Sequence, residues 1–204
     1  MWLGMTGSHR LTGPKTLRHC AHSESDERAP WSTLVLGRVA SPRRWRRYVA
    51  RVVGVDPSEA MIAAMHEKGV EAVRAGFLSY EHDGQPPHAV FTRNALHHLP
   101  DFWKVAALQR IAQLLEPGGA LLLRDIVYSF KPAEADAAVS SWLASAPGDE
   151  TKGWTAEQLA EHLRDEHSTY SWLIEPMLGR AGFEARERSL SPSRMYAAYT
   201  CIRR

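Results

Sequence analysis

The stretch RVVGVDPSEAMIAAM, Arg51 to Met65, contains the transition that indicates the fold. It begins as a short run of β-branched residues, reaches an acid at Asp56 and continues at once with a helical pattern. A buried strand that ends in an acid and leads into a helix is typical of the second strand of a nucleotide-binding α/β sheet. Such sheets also carry a glycine-rich turn about 20 residues earlier. The corresponding region, TLVLGRVASPRRWRR, contains one glycine, Gly37.

Strand-like and helix-like patterns alternate along residues 52–127. Short apolar runs, which are typical of buried strands, are separated by segments of helical period such as residues 101–119. In that segment Trp103, Leu108 and Ile111 keep helical spacing, which predicts an apolar face that includes all three. The alternation predicts a parallel α/β sheet with right-handed crossovers.

The last third of the chain has a different pattern. Residues 131–170 are polar and helical in character, and SWLIEPMLGRAGF predicts a further helix that ends near Gly182. The two runs EARERSLS and MYAAYTCIR, at residues 184–191 and 195–203, predict an antiparallel pair at the edge of the sheet.

Composition and charge divide the chain at residue 50. Residues 1–50 hold nine Lys or Arg against three Asp or Glu, whereas the whole chain of 204 residues has a net charge of only +2. We therefore distinguish an irregular basic N-terminal segment, residues 1–50, from an α/β domain, residues 51–204. A basic arm is compatible with nucleic-acid binding. An arm without function, or one that is wrongly translated, is the simpler interpretation, so a nucleic-acid partner is not expected.

The remaining bulk features favour a cytoplasmic protein. No apolar run approaches the roughly 18 residues of a membrane span, so a membrane partner is not expected. The two cysteines, Cys20 and Cys201, lie near opposite ends of the sequence and suggest reduced thiols. The oligomeric state does not follow from the sequence.

Four segments in order resemble class I S-adenosylmethionine-dependent methyltransferases: VVGVDPSEAMI, FTRNALHHLPD, RIAQLLEPGGALLLRDIV and the closing GF…SRMYAAYTCIR. The resemblance covers about residues 51–204. It implies a Rossmann-like sheet of seven strands, mostly parallel, with the last strand antiparallel. It also implies methyl transfer from S-adenosylmethionine to a small-molecule acceptor.

The resemblance assigns cofactor binding to six positions: Asp56, Met61, Gly76, Phe77, Asn94 and Ala95. Asp56 would hold the ribose hydroxyls, although a cap on the helix that follows explains the same residue equally well. Many relatives carry an acid at the end of the third strand that binds the adenine amino group. This chain has AGFLSYEH there, so that contact is absent or comes from backbone, Glu81 or Asp83.

His97 and His98 follow the fourth strand, near the expected position of methyl transfer. Either is the candidate general base for an acceptor that must lose a proton, and packing under the sheet is the alternative role. No metal site is predicted, because adjacent histidines point apart and no third ligand is evident. His162 and His167 are five residues apart, which is not the spacing of a helical zinc pair.

This chain differs from the family's pattern at the first motif. The first strand normally ends in Gly-x-Gly-x-Gly, which allows the backbone close to the cofactor, yet no glycine lies between Arg38 and Arg51. The alternative function is therefore a non-catalytic remnant that has lost the cofactor loop.

A one-base shift in suitable codons for residues 42–47 would restore Leu-Asp-Val-Gly-Ala-Gly, so a frameshift is one hypothesis. We expect the first strand to be irregular or missing, and favour a makeshift strand near residues 34–36 with residues 1–30 mostly irregular.

Overall fold

The computed structural model describes residues 29–37, 49–149, 151 and 153–204. Eight strands lie in this part of the chain: β1 Ala29–Gly37, β2 Val49–Asp56, β3 Glu71–Arg74, β4 Ala89–Arg93, β5 Ala120–Tyr128, β6 Thr169–Tyr170, β7 Phe183–Leu190 and β8 Tyr196–Arg203. The α-helices of the same part are α1 Glu59–Glu67, α2 Asp101–Leu114, α3 Ala135–Ala144, α4 Ala156–Asp165 and α5 Ser171–Arg180. Two short 3-10 helices span Leu96–His98 and Pro132–Glu134.

The sheet has the strand order β3-β2-β1-β4-β5-β8-β7, and β6 pairs with β5 off this path. Strands β1 to β5 are parallel to one another, whereas β8 is antiparallel to both β5 and β7. The mostly parallel Rossmann-like sheet with an antiparallel C-terminal strand is therefore confirmed. The order reverses between β1 and β4, and in open α/β sheets a ligand binds at such a reversal, outside the carboxyl ends of the strands.

Strand β1 occupies the centre of the sheet. Its residues 32–36 pair with β2 and its residues 33–37 pair with β4. The strand expected at residues 34–36 is confirmed, and the alternative of a sheet with no first strand is wrong. The strand is irregular at its start, where the register with β2 shifts between Ala29 and Ser32. Parallel ladders to both neighbours satisfy its backbone groups, which explains why a poor strand sequence still serves there.

Two earlier predictions lie largely outside the described residues. These are the irregular character of residues 1–30, apart from the start of β1, and the lack of a close cofactor turn after β1. Because β1 shares a sheet with the later strands, the N-terminal segment contributes to the fold. The division at residue 50 stays a prediction.

The turn at Pro117–Gly119 explains why two glycines stand together there. Gly118 has a φ of +85°, in the left-handed region, and a Cβ on Gly119 would lie 2.9 Å from the carbonyl oxygen of Glu116. The turn also holds the C-terminal strand. Gly118 N–H donates to the carbonyl of Arg203, whose own N–H donates to the carbonyl of Gly119.

The core lies on the face of the sheet that α2 and α5 cover. Buried residues of β4 and β5 pack there with Leu108 and Ile111 of α2 and with Ile174 of α5. Trp103 was predicted on the same apolar face, and this is wrong, because its side chain is 47% exposed. Lys104 is buried instead, at 2% exposure, and donates to Asp101 Oδ1 at 2.7 Å and to the carbonyl of His167. Tertiary hydrogen bonds thus bury Lys104, whereas Trp103, which helical periodicity placed on the buried face, is exposed.

Helices α3 and α4 lie between β5 and β6 in the sequence. They enclose a second apolar cluster of buried residues: Phe130, Trp142, Leu159 and Met195. The two helices confirm the helical character predicted for residues 131–170, and α4 lies beside the 3-10 helix Leu96–His98, where His167 N–H donates to the carbonyl of His97. Within the described residues, none of the helices combines the length and apolar character needed to cross a membrane.

Candidate functional site

The six positions assigned to the cofactor follow three parallel strands at one edge of the sheet. Asp56 ends β2, Gly76 and Phe77 follow β3, and Asn94 and Ala95 follow β4. Met61 lies in the first turns of α1, directly after β2. Because carboxyl ends of parallel strands share an edge, the fold brings these residues to the side where the strand order reverses.

Asp56 has a local structural role. Its Oδ1 accepts a hydrogen bond from Ser58 N–H at 2.9 Å, and Ser58 in turn caps α1 by accepting from Met61 N–H at 3.4 Å. The helix begins at Glu59, so Ser58 is the N-cap and Asp56 supports the turn before it. Asp56 is half-buried, and these contacts engage only one of its two carboxylate oxygens.

The residues after β3 form a tight turn with room beside it. Gly76 accepts hydrogen bonds from Ser79 and Tyr80 N–H, and an ideal Cβ on Gly76 would have no described atom within 4 Å. Phe77 is half-buried against the main core cluster. Glu81 and Asp83 are both exposed further along the same loop.

Asn94 adopts a left-handed backbone conformation with φ of +48°. Asparagine tolerates this region better than most side chains, so the sequence fits the sharp turn that ends β4. Its N–H donates to the carbonyl of Arg124 at 2.9 Å, and its side chain is exposed. Ala95 is half-buried beside it and precedes the 3-10 helix Leu96–His98.

His97 and Asp125 form a buried pair, with side-chain exposures of 2% and 3%. His97 Nδ1 is hydrogen-bonded to Asp125 Oδ1, and Asp125 also accepts from the N–H groups of Leu96 and Ile126, each at 2.8 Å. The carboxylate is therefore satisfied by hydrogen bonds, as a buried charge requires. If Nδ1 of His97 carries the proton that it donates to Asp125, the lone pair on Nε2 is available to another partner.

His98 lies in a different environment. Its side chain is 57% exposed, and its Nδ1 is 2.8 Å from Glu166 Oε2 at the end of α4. The two rings are packed together, with centroids 4.2 Å apart. An exposed contact of this kind contributes at most about 1 kcal/mol to stability, because water competes for both partners.

Helix α4 contributes a third histidine. The His162 ring lies 4.8 Å from the His97 ring, edge to face, and its Nε2 is 2.8 Å from Ser168 Oγ. Burial, reinforced by the neighbouring His97, lowers the pKa of His162 below its usual range. His162 is therefore neutral near pH 7.

An open cleft of about 330 Å³ lies between the end of β4 and α4. Nine described residues line it: Asn94, His97, His98, Trp154, Gln158, Glu161, His162, Asp165 and Glu166. His97 is therefore a buried side chain that also lines the cleft. The described lining residues include three acids, Glu161, Asp165 and Glu166, and neither Lys nor Arg.

Sequence reasoning missed three residues of this site. Asp125 was treated only as part of a strand, although an acid inside the apolar run ALLLRDIVY was a signal that its charge needed a buried partner. His162 was considered together with His167, as a helical zinc pair that their spacing does not support, and Glu166 was not singled out. The structure turns both His162 and Glu166 toward the cleft, while Arg164 between them is exposed and bonded to Asp165.

Comparison with known proteins identifies related sequences. Residues 37–119 match a family model described as a methyltransferase domain. An uncharacterized methyltransferase of Geobacillus kaustophilus is 28% identical over 138 residues, which are 66% of this chain and 60% of that protein. The chain therefore spans less than two thirds of the length of that relative.

Solved structures share the fold at low sequence identity. An S-adenosylmethionine-dependent methyltransferase from Mesorhizobium loti has a TM-score of 0.61 and 16% identity, over 92% of this chain and 95% of that one. The magnesium protoporphyrin IX methyltransferase of Synechocystis, solved with bound SAH, has a TM-score of 0.61 and 15% identity, over 87% and 75% of the two chains. At such identities these likenesses establish the fold alone.

Proposed function

We propose that this chain, whose sequence and fold are those of class I S-adenosylmethionine-dependent methyltransferases, transfers a methyl group to a small-molecule acceptor bound in the cleft. The observation that carries the proposal is the buried pair of His97 and Asp125, of which His97 lines the cleft. Such a pair gives a histidine a fixed orientation and a defined proton-accepting nitrogen.

The proposed chemistry needs little from the protein beyond alignment and proton removal. Bound S-adenosylmethionine supplies a methyl group on a positively charged sulfur, which is the leaving group. With the cofactor bound, the acceptor's oxygen or nitrogen would form the new bond to the methyl carbon as the carbon–sulfur bond breaks. His97 Nε2 takes the acceptor's proton, and Asp125 holds the resulting imidazolium through Nδ1.

The described residues fit the cofactor on the opposite side of β4. Asp56 has a carboxylate oxygen that its local contacts leave open to a ribose hydroxyl, and no described atom lies within 4 Å of a Cβ built on Gly76. Asn94 projects an exposed amide between this edge and the cleft. Cofactor and acceptor would then meet beside the end of β4.

The charge of the cleft bears on the acceptor. Because its described lining is acidic or neutral, we propose a neutral or cationic acceptor that carries a hydroxyl or amine. An amine would bind as the cation and lose a proton to His97 before attack. A carboxylate or phosphate compound would be disfavoured by the carboxylates of α4.

Binding of the cofactor product S-adenosylhomocysteine, measured by calorimetry, tests the cofactor site. Asp56→Ala removes a hydrogen bond to a charged group, and we expect a loss of about 1.5–3 kcal/mol in binding free energy. Glu67→Ala is the control, since it removes an exposed carboxylate from the far end of α1. No saturable binding by the unaltered chain, or equal affinity of the Asp56→Ala variant, would contradict the proposal.

The alternative of a non-catalytic remnant receives no support from the fold. Its argument was the missing glycine turn, whose position lies outside the described residues. The strand that should precede that turn is present and paired on both sides. We therefore retain methyl transfer as the single proposed activity.

A further inference from the structure

We propose that His97, His162 and Glu166 form a binding site for one divalent transition-metal ion of the zinc type at the base of the cleft. Each of these side chains offers one ligand atom, and the three atoms all lie within 4.8 Å of one another. The residues come from two separate elements, the 3-10 helix after β4 and the end of α4. Their convergence is a result of the tertiary fold.

The existing hydrogen bonds leave a suitable atom open on each residue. His97 uses Nδ1 toward Asp125, so Nε2 carries the free lone pair. His162 uses Nε2 toward Ser168, and donation from that nitrogen leaves Nδ1 as the ligand atom. Glu166 uses Oε2 toward His98, which leaves Oε1 open.

Asp125 supplies the outer support that metal-binding histidines usually have. A ligating imidazole commonly donates its other N–H to a carboxylate, which fixes the ring and raises its basicity. Asp125 is itself held by the N–H groups of Leu96 and Ile126. The hydrogen bonds of Asp125 therefore hold the His97 ring in a fixed orientation without a bound ion.

The donor set selects the class of ion. Two imidazole nitrogens and one carboxylate oxygen suit Zn²⁺ or a similar borderline ion, with a fourth position open to water or another ligand. Ligand atoms of a tetrahedral zinc site lie roughly 3.3 Å apart, given zinc–ligand distances of about 2.0–2.1 Å. Because the three ligand atoms lie within 4.8 Å of one another, small side-chain rotations would bring them to this spacing.

This site does not depend on methyl transfer, but it uses the same nitrogen. Ligation would occupy His97 Nε2, the atom proposed above as the general base. Metal binding and proton acceptance would therefore exclude each other, and Zn²⁺ would inhibit transfer. The metal-binding test needs no turnover, so its failure and a failure of the proposed activity are distinguishable.

The experiment titrates the full-length chain with Co²⁺ alone, followed by the ligand-field absorption of the bound ion, and then displaces it with Zn²⁺. We expect one site per chain, with a spectrum typical of four-coordinate Co²⁺. His162→Ala and Glu166→Gln should each weaken binding about tenfold or more. Asp125→Asn should weaken it about 10–100-fold through the outer support alone.

Two matched controls define the site. His66→Ala removes an exposed histidine on α1, and Glu161→Gln removes a cleft carboxylate that is outside the cluster. Both should bind Co²⁺ like the unaltered chain. The proposal is overturned if the unaltered chain binds no Co²⁺, or if Glu166→Gln binds as tightly as Glu161→Gln. The Glu166→Gln comparison decides the matter even if His162→Ala fails to fold, because it preserves side-chain shape.

Discussion

His97 and His98 are adjacent in sequence and differ in almost every physical property. His97 is buried and bonded to a buried carboxylate, whereas His98 is mostly exposed and paired with a half-exposed one. At the scale of the residue, we therefore propose His97 as the base, because the protein fixes its orientation through Asp125. Proximity in the chain gave no basis for that choice.

Replacing each histidine by alanine should separate the two. His97→Ala should lose about 10²–10⁴ in turnover, the usual contribution of a general base, with cofactor affinity unchanged. His98→Ala should lose at most a few-fold, because its exposed partner contributes little. Transfer of labelled methyl groups to an acceptor found by screening measures the turnover, and thermal melting checks that both variants fold. Equal and small losses would return both residues to structural roles.

The buried His162 gives the folded state a dependence on pH. Burial lowers its pKa in the folded protein, so between that value and the unfolded value of about 6.5 the unfolded chain binds more protons. Its contribution to stability is therefore present above about pH 6.5 and declines as the pH falls through that window. Urea unfolding at neutral and mildly acidic pH measures the effect.

The matched variant for this prediction is His162→Gln, which cannot titrate. Its free energy of unfolding should fall less on acidification than that of the unaltered chain. The difference between the two proteins isolates His162 from the other histidines. A parallel decline in both would show that His162 does not carry the pH dependence.

At the scale of the element, α2 illustrates how packing overrides periodicity. Trp103 and Leu108 both fit the predicted apolar face, yet Leu108 is fully buried and Trp103 is nearly half exposed. The N-terminus of α2 is fixed instead by Lys104, whose charge is matched by Asp101 and by the carbonyl of His167. The first turn of the helix therefore faces a polar loop and not the core.

Two alanine substitutions in α2 test this arrangement. Leu108→Ala should lower the free energy of unfolding by about 2–5 kcal/mol, because it leaves a cavity in the core. Trp103→Ala should lower it by about 1 kcal/mol or less, although tryptophan is the larger side chain. Urea titration of both variants measures the difference. A larger loss at Trp103 than at Leu108 would mean that the exposed ring packs more than the structure indicates.

At the scale of the whole molecule, the sheet tolerates an unusual first strand. Strand β1 pairs on both sides, so it supplies the centre of the sheet and the position from which a cofactor turn would leave. The residues after Gly37 carry no glycine before Gly54, and side chains there would keep the backbone from a close approach to the cofactor. We therefore expect the missing glycines to weaken cofactor binding without disrupting the sheet.

Replacing residues 38–48 with a Gly-x-Gly-x-Gly turn of family length should leave the fold intact and tighten S-adenosylmethionine binding by about tenfold or more. A tenfold gain in affinity corresponds to about 1.4 kcal/mol of binding free energy. Calorimetry of the two chains measures it, with an alanine-rich turn of equal length as the control. Equal affinity of the original and glycine-containing chains would show that the missing glycines do not matter.

The sequence by itself determined the order of strands and helices from β2 onward, because periods of two and 3.6 residues are local properties. It also indicated the strand at residues 34–36 and the antiparallel C-terminal pair. For the site it predicted which loops face the carboxyl edge, since that edge is common to all parallel strands. The roles of Asp56 and of the other cofactor positions stay predictions.

Only the tertiary structure decided which distant side chains come together at these loops. Asp125 lies 28 residues from His97, and His162 and Glu166 lie beyond it on α4, so no local pattern joins them. Their meeting depends on the pairing of β5 with β4 and on the position of α4 against the 3-10 helix. The burial of Lys104 and the exposure of Trp103 were decided in the same way. Charge compensation and packing act between elements, and a sequence pattern describes each element alone.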